Sequence, residues 1–254
     1  MLFGKTLITL LVSATITAIA APVDTTTTIT NPFNALADRT SKSHTTTSNT
    51  GTSSNPFANI KASTSTWERA AKLCKEGYSK RDLDLHVRTN SWPPETPSGF
   101  NKVDMGEIKG ALAPKGLWTY GLVTCIGLGV TGTQKDATKD ARILMHLPST
   151  KKSLEERWGD LLKLVEEAGM TDMEGWMSIP DTENQVPSGW SADLKELTEE
   201  VAEAAEWGLK QVIGKTPKVV KRPMALAIAH TLPHGTMQID KENKVEIDGV
   251  EYTQ

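Results

Sequence analysis

Cysteine is the one side chain in this 254-residue chain that combines strong nucleophilicity with rarity, since only Cys74 and Cys125 are present. Cys125 lies in Thr119-Tyr120-Gly121-Leu122-Val123-Thr124-Cys125-Ile126-Gly127, where glycines let backbone or substrate approach closely. A cysteine attacks as its thiolate, and a neighbouring imidazole makes one by taking the proton. His146 ends the next apolar run, Arg142-Ile143-Leu144-Met145-His146-Leu147-Pro148. If the two runs are adjacent strands, thiol and imidazole can meet. Two other readings stand beside this one. Cys125 can be an inert buried thiol near a core histidine. It can also form a disulfide with Cys74, as paired cysteines in secreted chains often do. The remaining histidines carry less. His230 and His234 are four apart, but Pro233 between them opposes the helix that would place both on one face of a metal site. His86 lies in a polar stretch and reads as a surface residue. No metal or cofactor is expected.

The elements that must position these residues begin near Trp67. Trp67, Ala70, Ala71, Cys74 and Tyr78 recur at helical spacing, which predicts an amphipathic helix over Thr66 to Gly77. Arg81 to Phe100 is Pro-rich and irregular, and Met105 to Lys109 reads as a short strand. Leu117 to Thr131 is apolar, β-branched and dotted with glycine, so it reads as one buried strand that bends. Thr131 to Asp140 is a polar turn, and Arg142 to Leu147 a second strand stopped by Pro148. A helix follows, with Ser153 and Glu156 as a capping box, Leu154, Trp158, Leu161, Leu162 and Val165 as its apolar stripe, and Gly169 as its stop. Glu174 to Ile179 reads as a strand. Ser191 opens a long helix, acidic early and basic late, that Gly214 and Pro217 end. Lys218 to Ala229 reads as a strand, and Thr236 to Asp240 with Lys244 to Ile247 as a closing hairpin. Trp158 belongs to a core stripe, and Trp176 and Trp190 read as buried anchors. The expected fold class is α+β, a layered α/β/β sandwich of hairpin-forming strands and two long helices.

The N-terminal third reads differently. Lys5, the apolar run Leu7 to Ile19 and Ala18-Ile19-Ala20 have the form of a cleaved secretory signal over residues 1–20. The run is shorter than a membrane span needs. Residues 21–66 are dominated by Thr and Ser and cannot bury enough surface to order themselves, so they read as a disordered, O-glycosylated stalk. Residues 67–254 form the expected globular domain of a secreted protein. The formal charge of −3 argues against nucleic-acid binding, and two cysteines exclude a four-cysteine zinc site.

Three segments taken together resemble the CheD family of protein-glutamine deamidases. Met105-Gly106-Glu107-Ile108-Lys109 is similar to that family's first strand, Thr119 to Cys125 to its nucleophile segment, and Met145-His146-Leu147-Pro148 to its histidine segment. The end of the chain, His234 to Asp240 and the hairpin after it, is similar to the family's terminal segment. The resemblance covers roughly Asp104 to Gly249, and more distantly extends to deamidases of the cytotoxic necrotizing factor type. It implies Cys125 as nucleophile, His146 as base and Thr119, six residues before Cys125, as the third member. It also implies deamidation of accessible glutamines on a protein substrate. The chain departs from the family in Val123-Thr124, where the family has Gly-Ser, and in the 21 residues from Cys125 to His146, a longer interval. The competing expectation is a non-catalytic secreted binding or effector protein on the same fold, with Cys74 bridged to Cys125.

Overall fold

The computed structural model describes residues 55–78, 92–184, 186, 190–225 and 230–253. The signal and most of the Thr/Ser-rich segment, and His86, lie outside the described residues. Among the described residues three helices, α1 (Thr64–Tyr78), α2 (Lys151–Ala168) and α3 (Ala192–Ile213), accompany ten strands. The strands are β1 (Phe100–Lys102), β2 (Ile108–Ala111), β3 (Gly116–Thr119), β4 (Ile126–Thr133), β5 (Arg142–Leu147), β6 (Thr171–Pro180), β7 (Lys218–Arg222), β8 (Met237–Ile239), β9 (Val245–Ile247) and β10 (Val250–Tyr252). They form two five-stranded sheets, one ordered β1-β3-β8-β9-β10 and the other β2-β5-β4-β6-β7. The fold is α+β, as expected.

The pleat explains the layering, because alternate residues of a strand face opposite sides. Ile126, Leu128 and Val130 of β4, Ile143, Met145 and Leu147 of β5, and Met177 and Ile179 of β6 pack with Leu154, Trp158, Leu161, Leu197, Val201 and Leu209 of the helices. The opposite face presents Leu144 and Trp176 to Leu117, Met237, Ile239, Val245 and Ile247 of the other sheet. Gly127 and Gly129 of β4 stand on this inner face because the second sheet comes too close for a side chain. A Cβ at Gly127 would meet Met237 Sδ at 2.8 Å, and one at Gly129 would meet Met237 Cε at 2.9 Å.

Several expectations shift. The stretch Leu117 to Thr131 is not one strand. It is β3 and β4, which belong to different sheets, separated by a reversal at Gly121 with φ +72°. Helix α2 is capped one turn earlier than the Ser153–Glu156 box implies, by the Thr150 side chain accepting from the Ser153 amide. Gly169 and Gly214 end α2 and α3 in the left-handed conformation, as expected. The strand from Lys218 ends at Arg222, and β10 extends the closing hairpin. The folded region also starts before Trp67: Phe57 is buried edge-on to Trp158, their ring centroids 5.5 Å apart. Among the described residues no helix is long and apolar enough to cross a membrane.

Because the inner-face glycines set the separation of the sheets, Gly127→Val should destabilise the domain by roughly 1–3 kcal/mol through overpacking. Urea unfolding should show a lowered midpoint with an unchanged slope.

Candidate functional site

Register decides where His146 points. It is paired with Gly127 across β4–β5, and with Leu144 it lies on the inner face of its sheet. Cys125 immediately precedes β4 and, two residues from Gly127, lies on that same inner face. Thr119 ends β3 on the opposing sheet. The three expected residues therefore converge between the sheets, and all are fully buried.

The geometry fixes the imidazole tautomer. Thr119 Oγ1 lies 2.8 Å from His146 Nδ1 and donates to the Val103 carbonyl, also at 2.8 Å. A hydroxyl has one proton. With that proton on Val103, Thr119 accepts from Nδ1–H, and the lone pair of a neutral ring is left on Nε2. His146 Nε2 is buried and has no hydrogen-bond partner among the described residues. Burial, reinforced by the positive charge of Arg222, pulls His146 down to about 3, while Asp104 opposes weakly. The imidazole is thus neutral near pH 7 and has an unused basic nitrogen.

Cys125 does not carry a free thiol. It is bridged to Cys74 of α1, with Cα atoms 5.3 Å apart, and both residues are inaccessible to solvent. Cys74, Cys125 and His146 donor atoms lie within 4.8 Å of one another. A metal would need thiolates, and the bridge consumes both, so the group is not a metal centre in this form. The linkage closes a 51-residue separation, for which the chain-entropy model gives roughly 4 kcal/mol of stabilisation.

Helix α1 covers the site. Its fully buried residues, Thr66, Ala70, Cys74 and Gly77, are all small, so apolar burial from this face is modest. Trp67 and Leu73 add partly buried contacts. At its C-terminal end Tyr78 sets its ring edge-on to His146, centroids 5.5 Å apart, and stacks on Tyr120. The Tyr78 hydroxyl donates to Asp104, and burial followed by that bond pushes the phenol upward. Asp104 is opposed by its burial, but Lys102 at 2.7 Å and the Tyr78 hydroxyl hold it below the usual carboxylate range. Close approach at two glycines seats the helix: a Cβ at Gly77 would meet the Val123 side chain at 2.7 Å, and one at Gly121 the Tyr78 Cα at 2.8 Å.

Two buried arginines were not singled out by sequence. Arg222, at the end of β7, donates to Ser178 Oγ at 2.9 Å, to the Val123 carbonyl at 2.6 Å and to the Cys125 carbonyl. Arg142, at the start of β5, donates to Asn243 Oδ1 at 2.9 Å and to the Lys115 and Lys241 carbonyls at 2.6 and 2.9 Å, tying the β8–β9 turn to the other sheet. A cation inside an otherwise apolar strand region is the signal that marks such residues. His234 pairs with Asp248 at 3.5 Å, and the His230 ring lies 4.6 Å from that of Trp92. Trp176 is buried, as expected of an anchor. An open cleft of about 410 Å³ between Gly106–Lys109 and α2 is lined largely by charged groups and includes none of Thr119, Cys125 and His146.

The depressed His146 titration has a stability consequence. Between about pH 6.5 and 3 the unfolded chain binds a proton at this residue and the native state does not, so stability rises with pH and is lost on acidification. Between pH 6.5 and 5, wild type should lose stability from this group at up to roughly 1 kcal/mol per pH unit. His146→Gln should flatten that part of a denaturation-versus-pH curve.

Comparison with known proteins returned no matching family model and no similar curated protein.

Proposed function

We propose that the chain is a secreted cysteine amidohydrolase of the CheD-like kind, which deamidates protein glutamine to glutamate and rests in a bridged, inactive form. The observation that supports it most is the inward convergence of Cys125, His146 and Thr119, with the tautomer that leaves His146 Nε2 as a free base.

Activity in this reading requires reduction. A thiol reductant, as in a reducing cytosol, supplies two electrons and two protons, splits the Cys74–Cys125 bond into two thiols and is itself oxidised to a disulfide. Loss of the bridge removes its stabilisation of the native state and frees a helix whose buried face is small, so α1 can lift and admit substrate. His146 Nε2 then takes the Cys125 proton. The thiolate attacks the glutamine carboxamide carbon, backbone N–H groups beside Cys125 hold the oxyanion, and His146 returns the proton as ammonia leaves. Water, deprotonated by His146, hydrolyses the thioester to glutamate and regenerates the thiol. Thr119 keeps the ring in the required tautomer throughout.

The second reading is a non-catalytic secreted binding or effector protein. It is favoured by the bridge and by the complete burial of the site, which give a stable, inert sandwich.

A thiol count and an ammonia assay separate the two. Native protein should show no free thiol and no ammonia release from glutamine-containing proteins. Reduced wild type, and Cys74→Ser without reductant, should release ammonia. Cys125→Ala should lower the rate by roughly a thousandfold or more, and Thr119→Val by at least about tenfold. No ammonia from either reduced wild type or Cys74→Ser, with the fold intact by circular dichroism, would establish the non-catalytic reading.

A further inference from the structure

Arg222 is almost completely buried, and its acceptors are neutral oxygens: Ser178 Oγ and the carbonyls of Val123 and Cys125. The Asp248 carboxylate acts on it only at longer range, and burial lowers Arg222 to about 9, so it remains cationic near neutrality. A buried cation without a close counter-ion is expensive. Holding carbonyls alone does not require charge, since a neutral amide also donates, though more weakly. The missing element is an anion, and the residue whose carbonyl Arg222 holds carries the Cys125 sulfur, which can ionise to a thiolate once the bridge opens.

We infer that Arg222 is the positioning residue of the site: it pins the Val123–Cys125 segment and provides the fixed positive charge that stabilises the Cys125 thiolate once the bridge opens. The inference rests on the reading that Cys125 is the working thiol. The pinning follows from peptide geometry. With the Val123 carbonyl on Arg222, the trans peptide turns the Thr124 N–H away from the guanidinium. The Thr124 carbonyl accepts from Ser149 Oγ at 3.4 Å. The loop that carries the nucleophile is thereby held from β7 and from the β5–α2 turn, on the side away from α1.

Among the charged side chains, Arg222 bonds directly to the backbone of the Cys125 segment. From α1 come Cys74 and the neutral Tyr78 phenol. From β5 comes neutral His146, and from β3 the Thr119 hydroxyl. Asp104 is paired with Lys102. In this site the imidazole is a neutral base, and the thiolate is favoured by the guanidinium rather than by an imidazolium.

The test uses the full chain carrying Cys74→Ser, in which Cys125 is the only thiol, and follows thiolate ultraviolet absorbance against pH. The Cys125 midpoint should lie at least about one unit below the ordinary ~8.5, although burial alone would raise it. Adding Arg222→Gln, which keeps amide donors but removes the charge, should raise the midpoint by about one unit or more. Arg222→Lys, which restores charge, and Ser178→Ala, which removes only one acceptor, should each stay within about half a unit of the parent. Adding His146→Gln should leave the midpoint low. A parent midpoint at or above ~8.5, an unchanged midpoint in Arg222→Gln, or a low midpoint abolished by His146→Gln would each overturn the inference. If Arg222→Gln does not fold, the parent and His146→Gln profiles decide it. Ammonia release by the Cys74→Ser parent is read separately. Ammonia release with a midpoint indifferent to Arg222 rejects this inference and leaves the deamidase standing. A charge-dependent midpoint without ammonia release does the reverse.

Discussion

The layer between the two sheets excludes water, and that constraint organises the rest of the structure. A polar group placed there has to find its partner in protein or remain unsatisfied at a cost of a few kcal/mol. Thr119 resolves this by donating to Val103 and accepting from His146, one hydroxyl serving both sheets. Arg142 and Arg222 resolve it by collecting neutral oxygens from loops that would otherwise lack donors. Glycines at 127 and 129 let the sheets close tightly enough for these bonds to form. Within this layer His146 Nε2 has no hydrogen-bond partner among the described residues, and neither has Trp176 Nε1.

The Cys74–Cys125 bridge links that layer to helix α1. The helix offers small residues to the protein beneath it, Gly77 against Val123 and Tyr78 over Gly121, which permits close seating but little apolar burial. The bridge adds a covalent tie to a helix that also places Ala70 in the main core beside Leu154, Trp158, Leu161, Leu197, Val201 and Leu209 and bonds Thr66 and Arg69 to Asp193 of α3. Strong packing lies beneath α2 and α3, and α1 is the helix tied to the layer between the sheets by a disulfide.

Local pattern carried much of the fold. Helical periodicity and terminal glycines located α2 and α3, and the run Arg142 to Leu147 was legible as a strand because Pro148 stops it. The apolar run Leu117 to Thr131 misled, since a continuous hydrophobic stretch hides a change of sheet; the reversal depends on a left-handed Gly121 packed against Tyr78, a contact distant in sequence. The cap of α2 shifted to Thr150 because several Ser and Thr residues compete there, and the incoming turn chooses among them. Arg142 and Arg222 were overlooked because a cation in a strand pattern, alone as Arg142 is or beside Lys218 and Lys221 as Arg222 is, reads as a solvated position until the covering sheet is known.

For the candidate site, the amino-acid order by itself determined the reactive types, a cysteine inside one apolar run and a histidine ending the next, because composition and spacing are local properties; Thr119 entered only through the resemblance. It left open whether Cys125 is a thiol or half of a bridge. Tertiary structure alone decided that, since disulfide formation needs two Cα atoms within a few ångströms across a separation of 51 residues. It also decided that His146 faces Cys125 rather than the helices: strand register has a period of two, and a slip of one residue would have turned the imidazole into the other core.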